Sequence, residues 1–206
     1  MNMGDKNYDV IGKLHSIDEL RKLVETEDFS RSTIRETTII EEGRENAQRE
    51  TNIIPGVYDM FEEIPGVCNN DMMDRYEPFV DEIVEVLKKR YNYKSVFIKS
   101  FCLIRLAAGN KIYPHRDDEA IELNAYYDFC KRIHVPVITN KDVVFTIGGE
   151  SKHLEYGDII EIDNLKEHSV VNNGNTDRVH LLIDFYGTKS YYNRSLMEVP
   201  DEFYTN

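Results

Sequence analysis

Three cysteines, Cys68, Cys102 and Cys130, are too few and too scattered for a disulfide framework or a paired-cysteine zinc site. An odd number without an export signal reads as reduced thiols, and Cys102, inside the apolar run FCLIRL, reads as core packing. No stretch comes near the roughly 18 consecutive apolar residues of a membrane span, so no membrane partner is expected. The first residues, MNMGDKNYDV, are polar and acidic, with neither signal-peptide nor transit-peptide character, and the expectation is a cytoplasmic protein. Positive charge is scarce: 25 basic against 38 acidic side chains give a formal net charge of −13. Such a surface repels phosphate backbones, and no basic stripe with interleaved aromatics is present, so no nucleic-acid partner is expected. The same charge either favours a basic substrate or simply keeps the chain soluble. The patterns G-x-S-x-G, G-x-x-x-x-G-K-[ST], H-E-x-x-H and G-x-G-x-x-G are also missing. With them go the serine hydrolase elbow, the phosphate loop, the zincin helix and the dinucleotide fingerprint.

What the chain does have is apolar material. Hydrophobic residues make up 41% and aromatics 11% of its 206 residues, enough for the packed core of one domain. Ser16-Ile-Asp-Glu19 has the form of a capping box ahead of ELRKLVE and predicts a short helix there. Residues 27–55 are polar without a firm period and read as loop-rich. In DMMDRYEPFVDEIVEVLKKRYN, the apolar Phe79, Ile83, Val84 and Leu87 form the stripe of an amphipathic helix. Lys88, Lys89 and Arg90 suit its C-terminal end, and the helix is expected to brace a sheet.

From about residue 95 the pattern changes to short β runs: SVFIKSFCLIRL, NKIYPH, RIHVPVIT, DVVFTIG, KHLEY, DIIEID, HSVVN and RVHLLIDFY. AAGN, GGES, YGD and NNGNTD punctuate them, all turn chemistry. Strands in such a row without intervening helices predict a mainly β, α+β chain on an antiparallel jelly-roll of cupin-like form. The expected organisation is a helical and irregular region over 1–95, a core over 96–188 and a tail over 189–206, all in one compact domain.

His115-Arg116-Asp117 is where chemistry enters. On a strand, residues i and i+2 share a face, so this His and Asp project to one side together. A lone H-x-D is common by chance, and a third ligand is needed; His168 in KEHSVVN is the best candidate. Two imidazoles and a carboxylate make the facial triad of non-haem Fe(II) oxygenases, leaving positions open for cosubstrate and O2. Each His taken singly is better explained as a satisfied core or turn residue. Arg178 follows His168 by ten residues across NNGNTD, and a hairpin there would set it on the neighbouring strand. In RVHLLID, Val179, Leu181 and Ile183 face one way and Arg178, His180 and Leu182 the other. An inward Arg requires a carboxylate: either a dicarboxylate cosubstrate such as 2-oxoglutarate, or one of the chain's many acidic residues met at the barrel mouth.

The stretch RLAAGNKIYPHRDD…RIHVPVITN…VVFTIGG…LEYGDIIEIDNLKEHSVVNNGNTDRVHLLIDF resembles the aspartyl/asparaginyl β-hydroxylase family, double-stranded β-helix oxygenases that use Fe(II) and 2-oxoglutarate. The resemblance implies that His115 and His168 are the proximal and distal metal histidines and that Arg178 binds 2-oxoglutarate. It also implies that the family's Arg-x-His, here Arg132 and His134, helps hold the other end of that cosubstrate. The animal enzymes have Gly where this chain has Asp117, so the chain resembles a complete-triad branch. Their cosubstrate-binding Ser corresponds to Ile104. The 19 residues from His115 to His134 make a longer connection than theirs. Residues 118–131, with Asp118, Glu119, Glu122, Tyr126 and Tyr127, then form either a lid that selects substrate or an inert surface loop.

The expected function is a 2-oxoglutarate-dependent dioxygenase hydroxylating an amino-acid side chain, peptidyl or free, with 2-oxoglutarate decarboxylated to succinate. His115, Asp117 and His168 serve as catalytic metal ligands, and Asp117 argues against halogenation, which needs its coordination position free. Two other readings stay open: a non-catalytic cupin-like binding protein, and a metal-dependent isomerase or hydrolase on a cupin barrel. Of the remaining histidines, His180 reads as a core residue bonded to a neighbour, His153 as a solvated turn residue, and His15 lies far from the rest. Oligomeric state is not legible.

Overall fold

The computed structural model describes residues 6–31, 50–58, 67–68, 70–117 and 130–189. In chain order its elements are β1 (Tyr8–Lys13), α1 (Ile17–Val24), a 3-10 turn at Phe29–Arg31, β2 (Thr51–Tyr58), β3 (Val67–Cys68) and α2 (Asn70–Tyr91). The strand-rich part follows as β4 (Ser95–Leu106), β5 (Lys111–His115), β6 (Lys131–Ile138), β7 (Val143–Ile147), β8 (Glu150–Lys152), β9 (Asp158–Ile162), β10 (His168–Asn172) and β11 (Arg178–Thr188). They form a seven-stranded sheet in the order β1-β9-β6-β11-β4-β2-β3 and a four-stranded sheet in the order β5-β10-β7-β8. This two-sheet antiparallel sandwich is the double-stranded β-helix expected from the run of short strands. No helix among the described residues is long and apolar enough to cross a membrane.

Period-2 alternation sorts the central strands into two faces. Val179, Leu181, Ile183 and Phe185 of β11 join Leu103 of β4 and Ile133, Val135 and Val137 of β6 on the outer face of the large sheet. There they meet the helices: Leu20 and Val24 of α1, and Met72, Tyr76, Phe79, Ile83 and Leu87 of α2. The spacing of these five is the i, i+3/i+4 stripe of a helix that buries one face, each side chain contributing about 1.5–3 kcal/mol by leaving water. Val84, expected in that stripe, lies at its edge and is only half-buried. The helix stops at Asn92, whose φ of 55° is the left-handed conformation that ends helices, with Tyr93 N–H donating to Lys88 C=O at 3.0 Å.

The inner face belongs to the sandwich interior. Leu106, Ile160 and Ile162 of the large sheet pack against Ile112, Val143, Phe145, Ile147 and Val170 of the small one. Tyr8 of β1 reaches across, its hydroxyl donating to the carbonyls of Phe145 (3.1 Å) and Glu150 (3.0 Å). Interleaved with them on the interior face are Arg132, His134, Arg178, His180 and Asp184, all buried.

Four readings of the sequence need correction. The segment 27–55 is not all loop: β2 pairs with β4 from Thr51↔Leu106 to Tyr58↔Ser100. The run KHLEY is no strand; β8 stops at Lys152. A helix does start after Ser16, but its side chain makes no capping bond; the Ser16 hydroxyl donates instead to Glu82 Oε2 at 2.6 Å, tying α1 to α2. Finally, the turn NNGNTD is not a hairpin within one sheet. It carries the chain from β10 in the small sheet to β11 in the large one, so Arg178 faces the His168 side of the sandwich rather than flanking it.

Candidate active site

His115 and His168 end up side by side because β5 and β10 pair in a register that sets them opposite one another. Their ring centroids are 4.2 Å apart. Each ring is turned by a carbonyl two residues earlier in the chain: His115 Nδ1 lies 2.8 Å from Tyr113 C=O, and His168 Nδ1 lies 2.9 Å from Lys166 C=O. A carbonyl only accepts, so both Nδ1 atoms carry the proton and both Nε2 atoms present lone pairs. Burial holds His168 below the ordinary imidazole range, which keeps it a neutral ligand.

Asp117 completes the cluster just beyond β5. Its Oδ1 lies 3.7 Å from His115 Nε2 and 3.9 Å from His168 Nε2, while Oδ2 accepts from Asn164 Nδ2 at 3.0 Å and from Arg132. One carboxylate oxygen is thus anchored to the protein and the other is turned toward the imidazoles. Burial would raise this carboxyl, but the Arg132 guanidinium and the hydrogen bond from Asn164 counter it, and it lies below the usual carboxylate range. One atom from each of the three residues can be chosen so that all lie within 4.8 Å of one another. His115 Nε2 is buried with no hydrogen-bond partner among the described residues. An orphaned imidazole nitrogen beside a second one and an ionised carboxylate fits a divalent cation of the Fe(II) type, with open positions left over.

Arg178 projects from the first position of β11 and is fully buried. None of its three guanidinium nitrogens has a partner among the described residues. Among the described residues the face of Phe145, 5.1 Å from the guanidinium carbon, supports its charge. Burial pushes its pKa down to about 9, still above neutrality, so the cation persists at pH 7. An unpaired buried charge costs several kcal/mol. A carboxylate ligand would offset that cost through bidentate bonds.

Arg132 and His134, the i, i+2 pair of β6, do point inward together, but their partners differ. Arg132 grips Asp184 through Nε (2.7 Å) and Nη2 (2.8 Å) and reaches Asp117 with Nη1. His134 meets the β11 imidazole, His134 Nδ1 to His180 Nδ1, at 3.3 Å. His180 is thus the bonded core histidine expected. His153 is half-buried, with Nδ1 3.0 Å from Val143 C=O. Asp184, Asn164 and Ser100, which donates to Asp184 at 2.9 Å, were not singled out in the sequence. Asp184 had a signal: it lies six residues after Arg178 on one strand, hence on the same inward face. Ile104, which takes the place of the family's Ser, is buried in the interior with Cys102 and Leu182. The proposed lid residues Asp118, Glu119, Glu122, Tyr126 and Tyr127 lie outside the described residues.

The family model for aspartyl/asparaginyl β-hydroxylases matches residues 36–188, well over half the chain. The chain belongs to the aspartyl/asparaginyl β-hydroxylase family. As a member it is a 2-oxoglutarate- and Fe(II)-dependent oxygenase acting on a small molecule or peptide. Among curated proteins none matches the sequence. Solved structures similar in fold include a 2OG-Fe(II) oxygenase-family oxidoreductase from Burkholderia pseudomallei (12% identity over 68% of this chain and 71% of that one, TM-score 0.52). The viral collagen prolyl hydroxylase of Paramecium Bursaria Chlorella virus-1, in its 2-oxoglutarate complex, matches at 11% identity over 88% and 96%, TM-score 0.50. HygX from Streptomyces hygroscopicus, with nickel and 2-oxoglutarate bound, matches at 10% over 90% and 84%, TM-score 0.54. At these identities the likeness is one of fold.

Proposed function

We propose that the enzyme hydroxylates an amino-acid side chain, presented on a peptide or as the free amino acid, using His115, Asp117 and His168 as ligands to Fe(II). When bound, Fe(II) with 2-oxoglutarate and O2 supplies the oxidising chemistry: the oxo acid is decarboxylated to succinate and one oxygen atom enters a substrate C–H bond. The chain's own residues do the holding. His115 and His168 offer neutral Nε2 lone pairs because Tyr113 and Lys166 carbonyls fix the opposite nitrogens. Asp117 offers Oδ1 because Arg132 and Asn164 occupy Oδ2.

Arg178 takes the distal carboxylate of 2-oxoglutarate, and His134 lies on the same interior face. Arg132 is assigned to positioning Asp117 rather than to the cosubstrate contact that the resemblance implied. The observation that carries this reading is the buried guanidinium of Arg178, without a partner among the described residues, in the same sandwich interior as the His115, Asp117 and His168 cluster. Among residues 1–95, β1 and β2 extend the large sheet of the core and α1 and α2 cover it. The test is to add air to anaerobic protein loaded with Fe(II) and labelled 2-oxoglutarate. Iron-dependent release of labelled succinate supports the reading; none from iron-loaded, folded protein overturns it.

A further inference from the structure

Beside Arg178 lies a second polar atom without an explanation. His180 is completely buried, and its Nε2 has no hydrogen-bond partner among the described residues. It follows Arg178 by two on β11, so both side chains leave the same face of the strand. The two also share a neighbour, Phe145. The His180 ring stacks on it at 5.6 Å with planes 7° apart, and the Arg178 guanidinium carbon sits 5.1 Å from its centroid. The cross-strand partners of His180 are Ile104 on β4 and Pro136 on β6, neither of which has a polar side chain to satisfy it. A buried imidazole nitrogen left unbonded costs about 1–3 kcal/mol, so its position beside an unpaired guanidinium calls for one ligand that serves both.

We infer that His180 is a further cosubstrate-binding residue, its Nε2–H donating to the carboxylate that Arg178 clamps. This rests on the reading of Arg178 as the 2-oxoglutarate site. A carboxylate has about four lone-pair directions; a bidentate guanidinium uses two, and an imidazole N–H can take a third. The protonation pattern fits. His180 is held neutral by burial and by the Arg178 charge, so its ring carries a single proton. Its Nδ1 faces His134 Nδ1 at 3.3 Å, an arrangement that works only if one of the two is protonated. When His134 donates, His180 accepts at Nδ1 and keeps its proton on Nε2, aimed at the ligand. In that arrangement His134 sets the tautomer of His180, and the pair makes one donor out of two neutral rings.

A ligand-and-mutant cycle separates this role from mere packing. Binding of 2-oxoglutarate and of pyruvate, an oxo acid lacking the second carboxylate, is measured on the full-length protein loaded anaerobically with Fe(II). The variants are His180→Phe, which keeps ring volume, and His180→Gln, which keeps a donor. For His180→Phe, 2-oxoglutarate should bind about tenfold or more weaker while pyruvate and Fe(II) stay within about twofold; a charge-assisted bond is worth that much. His180→Gln should recover most of the loss. Equal weakening of both acids, loss of Fe(II) affinity, or no change in 2-oxoglutarate binding would overturn the assignment of His180. If the unmodified protein itself binds 2-oxoglutarate no better than pyruvate, the Arg178 reading falls, and this inference with it.

Discussion

Asp184 holds Arg132 by two parallel N–H···O bonds of 2.7 and 2.8 Å, and the remaining arm of that guanidinium holds the Asp117 carboxylate, the proposed metal ligand. A carboxylate on the large sheet thereby fixes the aim of one on the small-sheet side. Outer-shell partners of this kind typically contribute 10–100-fold to metal affinity. Arg132→Met should therefore weaken Fe(II) binding by about that factor, and Asp184→Asn by less, because the amide still accepts one bond. Metal titration of each variant checks this, with circular dichroism to confirm the fold. Unchanged affinity in Arg132→Met would show that Asp117 needs no such support.

Arg178 makes the opposite prediction for stability. Its charge is buried without a partner among the described residues, so replacing it with Met removes a desolvation penalty and loses only the contact with Phe145, worth about 1–2 kcal/mol. Ligand-free Arg178→Met should melt no lower, and by this balance higher, than the unmodified protein. It should bind Fe(II) normally and lose the rise in Tm that 2-oxoglutarate gives. A destabilised ligand-free variant would mean that the guanidinium has a partner in solution.

His134 and His180 set an acid limit. Burial, then the neighbouring Arg178 cation, holds both well below the ordinary imidazole range. Because the folded pKa is depressed, the unfolded chain takes up these protons first as pH falls. Stability is complete above about 6.5 and declines below it, by up to about 1.4 kcal/mol per pH unit for each ring. Urea unfolding of metal-free protein between pH 7.5 and 5 checks this, and His180→Phe should make the slope shallower. A flat profile would mean that the rings charge freely in the folded state.

Glu82 ties α1 to α2, accepting from the Ser16 hydroxyl at 2.6 Å and from Ser16 N–H at 3.3 Å. It does across the helix pair what the local capping box was expected to do. Glu82→Ala should cost about 1–2 kcal/mol in chemical denaturation and leave metal binding unchanged. Glu19→Ala, which removes the expected local partner, should be near neutral.

What could be read in advance follows from physics that is local in sequence. The strands β4 and β11 were legible because alternation and β-branched runs are written along them. The grouping of His115 with Asp117 was legible from their i, i+2 spacing, although β5 ends at His115 and Asp117 lies just beyond it. Strand β2 was hidden by Pro55 and Gly56, which look like a turn. The pairing with β4 tolerates them through a register shift between Pro55 and Val57. Gly56 is needed because a Cβ there would fall 2.0 Å from the Phe101 ring. The relation of His168 to Arg178 was read correctly in spacing and wrongly in space. Turn residues mark where the chain reverses, not whether it returns to the same sheet. The partners of Arg132 were hidden for the same reason, since Asp117 and Asp184 lie 15 and 52 residues away.

The most direct test is an anaerobic titration of the Fe(II)-loaded protein with 2-oxoglutarate, followed by visible absorption. The expected result is a band that saturates at one equivalent per chain, is abolished in His168→Ala, and is shifted to much higher concentration in Arg178→Met. No band in the unmodified protein, or an unaltered band in His168→Ala, would contradict it.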